Sequence, residues 1–166
     1  MDSFERDLTD LFPRLRRLAH ALARSPAEAD DLVQGAVERI LRARTQWLEG
    51  TRFDAWAFRI LRNLWIDTTR AQSRSRARLA PEDEGQAVGH DPRAQIEARA
   101  ELMSLMQAMA RLPDEQREVI ALVAIDGLGY AEAAQVLGLP IGTVSTRVAR
   151  GRRALAALIG GEHDGR

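Results

Sequence analysis

The chain has no cysteine, no lysine, few aromatic residues and no long apolar run. Each absence removes a class of function. Without cysteine there is no disulfide framework, no thiolate metal site and no thiol nucleophile. The three histidines, His20, His90 and His163, stand far apart and form no ligand-spaced cluster, so no metal site is expected. No apolar stretch approaches the roughly 20 residues needed to span a bilayer, so no membrane insertion is expected. The opening MDSFERDLTDLF is acidic and amphipathic, unlike a signal peptide, and a reduced, cytoplasmic setting is expected. No nucleophile–base pair or phosphate loop is visible, and Gly127-Leu128-Gly129 is too short to cradle a phosphate. Neither a catalytic residue nor a cofactor is therefore expected.

What is present points to helices. The 166 residues suit one medium domain or two small ones, and 45% are hydrophobic, ordinary for a folded chain. Alanine, leucine and arginine dominate, and these residues lose little on entering a helix. All 24 basic residues are arginine, which reads as the mark of a GC-rich genome rather than of function. Arginine does suit phosphate and guanine, because its planar fork is always charged.

The net charge is zero, but its distribution is not even. Residues 51–80 carry seven arginines against two aspartates, a net of +5. Residues 81–139 carry four arginines against eleven acids, a net of −7. Residues 140–155 carry four arginines and no acid. The chain is basic in two blocks and acidic between them.

Apolar periodicity predicts an all-α protein, since no stretch alternates with period two. A first helix is expected over 4–23 with Leu8, Leu11, Phe12, Leu15, Leu18 and Leu22 inside; Pro13 either bends it or breaks it in two. Ser25-Pro26 starts a second helix over 26–44, with Leu32, Val33, Val37, Ile40 and Leu41 inside. Residues 45–52 read as a loop, and a third helix follows over 53–72. Residues 73–92 hold almost no large apolar side chain and read as a flexible linker. Further helices are expected at 93–111, 114–125, 130–137 and 141–158. The fold is thus two small helical domains, 1–72 and 93–160, joined by a linker at 73–92.

The last two helices have the form of a helix-turn-helix. Tyr130–Leu137 is short and small on one side, Gly138 supplies a left-handed turn, and Pro140 starts the next helix. Such a turn lets the second helix enter a major groove. With Ile141 as the origin, Val144, Val148 and Leu155 fall within about 60° of it. Thr143, Thr146, Arg147, Arg150 and Arg153 fall on the opposite side, where hydroxyls and guanidiniums can meet phosphates and base edges. A solvated basic face is the plain alternative, and the preceding short helix and turn argue against it.

The third helix carries a second basic strip. Phe53, Ala57, Ile60 and Leu64 are expected to face the core, with Trp56 and Phe58 as further core residues. Arg59, Asn63, Ile66 and Arg70 share another face, with Arg62 beside it. A strip of charge with an amide suits single-stranded DNA, whose backbone follows the charges while exposed bases hydrogen-bond.

Taken together, DDLVQ, FDAWAFRILRNLWIDTTR, LPDEQREVIALV and GYAEAAQVLGLPIGTVSTRVARGRRAL resemble bacterial extracytoplasmic-function sigma factors, in the family's order and over nearly the whole chain. The segment PRLRRLAHALARSPAEADDLVQ is especially similar to the alphaproteobacterial general-stress type. The resemblance implies that Asp31, Leu32, Val33 and Gln34 dock on the β′ coiled coil of core RNA polymerase, with Gly35 standing where the family usually has an acid. It implies that Arg59, Arg62, Asn63, Asp67 and Arg70 open and read the −10 element, and that loop 45–52 captures a flipped base. It assigns −35 base reading to Ser145, Thr146, Ala149 and Arg150. The face count places Ser145 and Ala149 toward the core edge, which favours Thr146 and Arg150 as readers and Thr143, Arg147 and Arg153 as supporting contacts. The implied partners are core polymerase (β′ coiled coil and β flap), promoter DNA and an anti-sigma factor. A sigma-like adaptor that sequesters an anti-sigma factor is the alternative, and it would have no need of the two arginine faces. An ordinary helix-turn-helix repressor would need a ligand pocket or dimerising helix, and neither is visible.

Overall fold

The computed structural model describes residues 1–76 and 93–163. Helix α1 spans Ser3–Leu22, α2 Pro26–Arg42, α3 Phe53–Arg76, α4 Arg93–Arg111, α5 Asp114–Ile120, α6 Tyr130–Leu137 and α7 Ile141–His163. Among the described residues there is no strand. A single 3₁₀ turn, Arg44–Gln46, follows α2, and α5 widens into a π-helical turn over Ala121–Ile125.

Local chemistry sets these boundaries. Asp2 accepts from the Glu5 amide and Glu5 reaches back to the Asp2 amide, a reciprocal cap on α1. Pro13 lies within α1 without dividing it. Ser25 accepts from the Glu28 amide and Pro26 opens α2, so the predicted start is met. Gly138 ends α6 at φ 66°, ψ 36°, the left-handed region that glycine enters without a Cβ clash. Helix α3 continues to Arg76, four residues into the stretch predicted as linker. The remainder of that stretch lies outside the described residues.

Helices α1, α2 and α3 pack on one another, and α7 packs on α4, α5 and α6. The core of the first group holds Leu15, Leu18, Ile40, Phe58, Leu61 and Trp65; that of the second holds Val119, Ile120, Val136, Val144 and Val148. Several inward assignments shift by one position. Phe12 and Leu41 are 43% and 49% exposed, and Ile60 and Leu64 are half-buried rather than central. A helix stripe is wide, so its rim residues are decided by what packs above them.

The two helical units do not stand apart. Helix α1 packs against α4 and the π turn, and α3 packs against α6. Buried residues from both units join one continuous apolar cluster. Gly35 lets α2 approach α3, since a Cβ there would come within 2.8 Å of Leu64 Cδ2. Phe4, Trp47, Phe53 and Trp56 meet edge-on or tilted with ring centroids 5.3–6.2 Å apart, anchoring the loop after α2 to α1 and α3. Arg44 pairs with Asp2 and lies over the Phe4 ring, closing the same corner. None of the described helices is long and apolar enough to cross a membrane.

Candidate nucleic-acid and polymerase interfaces

Helix α7 is positioned by Val144 and Val148, which are buried against α5 and α6. Gly151 extends this contact: a Cβ there would come within 2.8 Å of Ile120 Cγ1. The outward stripe holds Ser145, Thr146, Ala149, Arg150 and Arg153, all exposed. This corrects the face count, which placed Ser145 and Ala149 toward the core edge. Its origin, Ile141, is itself 53% exposed. The first residue of α7 stands beyond the partner helices, so the true core direction is rotated about 40° from it. Thr143 is half-buried at the rim.

Arg147 departs further from expectation. Its side chain is only 22% exposed, with Nη1 3.8 Å from Glu118 and Nη2 3.6 Å from Glu115. It faces α5 rather than the outward stripe.

Helix α3 presents Arg59, Asn63, Asp67 and Arg70 on its exposed side, with Ile66 half-buried among them. Phe58 and Trp65 are in the core and Trp56 packs against it, so these rings are structural. Three charged residues of the strip are already engaged. Arg59 Nη2 donates to the Gln135 carbonyl of α6 at 2.7 Å. Arg62 Nε donates to Glu118 at 2.9 Å, and Glu118 is only 4% exposed. Asp67 lies 3.4 Å from Arg39 on α2. Asn63 and Arg70 remain on the surface.

A chain of alternating charge crosses the same junction. Arg14 on α1 holds Asp126 through two hydrogen bonds of 2.7 and 3.2 Å, and the Asp126 carboxylate is fully buried. Arg14 also lies 3.4 Å from Asp54 on α3, which is held at 2.6 Å by Arg52. Arg52 in turn reaches Glu132 on α6 at 3.3 Å. Burial works against the charged form of Asp54, but hydrogen bonds from Arg52 and the Ala55 amide outweigh it and lower its pKa. The Asp126 carboxylate holds Arg14 above the usual guanidinium value.

Arg117 is a third crossing, and it is 2% exposed. Its guanidinium donates to the carbonyls of Leu22, Met109, Ala110 and Leu112 at 2.8–3.1 Å. These carbonyls lie at or just past the ends of α1 and α4, where helical amides run out, and that of Met109 also accepts from the Leu112 amide at 3.1 Å. It also lies 5.9 Å from the Trp65 ring, on α3. Arg14, Arg117, Glu118 and Asp126 were not singled out in the sequence. The available signal was the pair Arg117-Glu118 immediately before an apolar run, Val119-Ile120-Ala121-Leu122, where a charge facing inward needs a partner.

Along α2, Leu32 and Val33 are buried at 6% each, whereas Asp31 and Gln34 are exposed. The DDLVQ segment therefore divides into two residues that hold the helix and two that face outward. Phe12, Arg16, Val37 and Glu38 border a shallow groove beside Gln34.

Comparison with known proteins agrees with this geometry. Residues 8–75 match the model of Sigma-70 region 2, and residues 102–155 match that of Sigma-70, region 4. The chain is 35% identical to the ECF RNA polymerase sigma factor EcfG of Rhodopseudomonas palustris, over 95% of this chain and 86% of that one. It is 37% identical to the ECF RNA polymerase sigma factor SigE of Mycolicibacterium smegmatis over 86% of its length, and the match spans 56% of that protein. Its backbone is similar to the sigma factor RpoE of Bartonella quintana, solved in complex with the anti-sigma factor NepR, with a TM-score of 0.79, 27% identity and coverage of 96% and 98% of the two chains. With both region models in order and a relative matched over nearly its full length, this chain belongs to the ECF family of RNA polymerase sigma factors.

Proposed function

We propose that the two helical units divide promoter recognition between closed duplex and opened strand, while α2 holds the polymerase. As an ECF sigma factor the protein is a transcription initiation factor rather than an enzyme, and it works with core RNA polymerase and promoter DNA. The observation that carries the division is the exposed stripe Ser145, Thr146, Ala149, Arg150 and Arg153 on a helix set by the Gly138 turn. A helix with such a stripe fits a major groove. Arg150 can donate its fork to guanine, Ser145 and Thr146 can meet base edges, and Ala149 leaves room for a thymine methyl. Arg153 and Thr143 suit phosphates at the groove walls.

On α3, Asn63 and Arg70 suit the opened −10 strand, with Arg59 and Arg62 joining once released. Asp67 is assigned to the same element, where release from Arg39 would free its carboxylate to accept from a base. Asp31 and Gln34 suit the β′ coiled coil, with Leu32 and Val33 fixing the helix beneath them. Region 4 is assigned to the β flap, and the work is placed in the cytoplasm, where core polymerase resides. The similarity to the general-stress type suggests a stress regulon.

An anti-sigma partner is also proposed, since the Bartonella relative is solved with one. The groove between α1 and α4 supports this reading: Phe12, Leu102, Leu105 and Met106 line it, and Arg16 and Arg17 stand at its rim. That combination suits an amphipathic helix with acidic flanks.

The test is run-off transcription with core polymerase on genomic DNA, mapping start sites. A common pair of elements near −35 and −10 is expected upstream of the starts. Initiation no different from core polymerase alone would overturn the proposal.

A further inference from the structure

One large aliphatic side chain of the helix-turn-helix faces water. Leu139 packs on the core and Val144 is fully buried, yet Ile141 between them is 53% exposed. Ile141 opens α7, and it is not among the described side chains that pack on the apolar cluster. Gly142 beside it has open space where a Cβ would stand. A single exposed aliphatic is ordinary in itself; the position of this one is what carries information. Ile141, Ser145 and Ala149 follow one another at intervals of four, about 40° and 6 Å apart on a helix. Ser145 and Ala149 are exposed, so Ile141 continues their line into the first turn. The Cα–Cβ bond of a helical residue leans toward the helix N-terminus, so the side chain of a first residue reaches ahead of the helix end. In a helix-turn-helix, the N-terminal residues of the second helix are the ones that meet base edges.

We infer that Ile141 reads sequence in the −35 duplex by packing on the methyl group of a thymine, at the end of the element that the first turn of α7 enters. The inference rests on the assignment of the outward stripe of α7 to the −35 duplex and deepens it by naming a base that the polar part of the stripe does not select. Arg150 and Arg153 offer guanidiniums, and Ser145 and Thr146 offer hydroxyls. The Thr146 hydroxyl donates to the Gly142 carbonyl at 2.9 Å, so its hydrogen is engaged within the helix. The side chain of Ile141 has no donor or acceptor and cannot distinguish bases by hydrogen bonding. The one apolar feature in the major groove is the thymine methyl, and an aliphatic side chain is its complement. The arginines beside it supply the attraction to the duplex, which an isolated apolar patch would lack. Ala149 stands eight residues on, about 12 Å along α7. A second methyl contact there falls no more than about three to four base pairs from the first, at 3.4 Å per pair.

Deoxyuridine is thymine without the methyl group, which makes the test direct. Holoenzyme carrying the parent chain, Ile141→Ala or Ile141→Val is bound in competition to promoter duplexes whose −35 element has been mapped from the start sites. Each thymine of that element, on either strand, is replaced in turn by deoxyuridine. The parent should lose about fourfold in affinity at one position beneath the first turn, the factor for one methyl group taken out of water. Ile141→Ala should bind the thymine duplex about fourfold more weakly, be indifferent to deoxyuridine at that position, and keep the parent's response at every other thymine. Ile141→Val keeps a branched aliphatic side chain and should retain part of the discrimination. The side chain is exposed, so circular dichroism and melting should match the parent. Equal weakening of Ile141→Ala on thymine and deoxyuridine would mean that Ile141 covers a sugar or supports the helix, and would overturn base reading. A parent indifferent to every replacement, or an Ile141→Ala that responds as the parent does, would overturn it as well. The underlying assignment of α7 has its own readout. Arg150→Ala should lose −35 discrimination even where Ile141 proves silent, and silence of both would bring down the assignment of the stripe itself.

Discussion

Arg117 is the residue whose removal should cost most. Truncation to alanine deletes four hydrogen bonds from a guanidinium that is 2% exposed. Hydrogen bonds from a charged donor are worth roughly 1.5–3 kcal/mol each, so the gross loss is about 6–12 kcal/mol. Two terms reduce it. The guanidinium no longer has to be desolvated, which costs several kcal/mol per ion, and burial is what holds its pKa below the usual arginine value. Some of the freed carbonyls at the ends of α1 and α4 can also take water. A net loss of about 3–5 kcal/mol is expected, in line with breaking other buried charge networks. Against a total stability of about 5–15 kcal/mol, this is a large fraction. For a chain of this size it corresponds to a fall in Tm of roughly 6–20 °C. Arg117→Met should recover part of the loss by keeping the aliphatic packing, but not the part due to the carbonyls. Urea melts followed by circular dichroism and by tryptophan fluorescence are the assay, because Trp65 lies against the guanidinium. A loss under about 1 kcal/mol in Arg117→Ala would refute the reasoning, since it would mean that water replaces the side chain at no cost.

Other outcomes follow from single contacts. Arg150→Ala should cost about 1–3 kcal/mol of binding at the −35 element and relax discrimination there, measured by holoenzyme transcription from promoters with substituted −35 bases. Asp31→Ala should weaken capture of core polymerase in a pull-down while leaving the melting temperature within about 2 °C, since the side chain is exposed. Gly151→Ala gains about 1 kcal/mol of helix propensity but presses on Ile120 Cγ1, close to the branch point and unable to swing away. Overpacking of about 1–3 kcal/mol should leave it net destabilised in a thermal melt. Asp54 has a lowered pKa in the folded chain, so its contribution is present above the unfolded value of about 3.9 and is lost as pH falls through the lower folded value. The difference in Tm between the parent and Asp54→Asn should therefore be flat above about pH 5 and shrink only in stronger acid.

Much of this molecule was legible from residues near one another in the chain. The Ser25-Pro26 start, the Gly138 turn, the length of α6 and the existence of each helix depend on caps, on φ and on apolar spacing within a few residues. The outward stripe of α7 was nearly legible. It was displaced by the choice of Ile141 as a core residue, because the rim of a helix is settled by what stands over it, and nothing within α7 reports where α5 and α6 end. DDLVQ was readable as an amphipathic segment, but its division into buried Leu32 and Val33 and exposed Asp31 and Gln34 needed the packing against α1 and α3.

The sequence by itself determined an all-helical chain with two basic blocks, an acidic middle and a helix-turn-helix, because these follow from composition and short-range periodicity. Only the tertiary structure decided what the charges do. Arg62 and Glu118 are separated by 56 positions, and Arg14 and Asp126 by 112. No local rule links such residues, since an arginine in a sequence offers the same fork to a phosphate, a carboxylate or a carbonyl. Which one it meets is set by the packing of α1 and α3 against the second unit. That packing turns three arginines and two acids from a charge pattern into a closed junction.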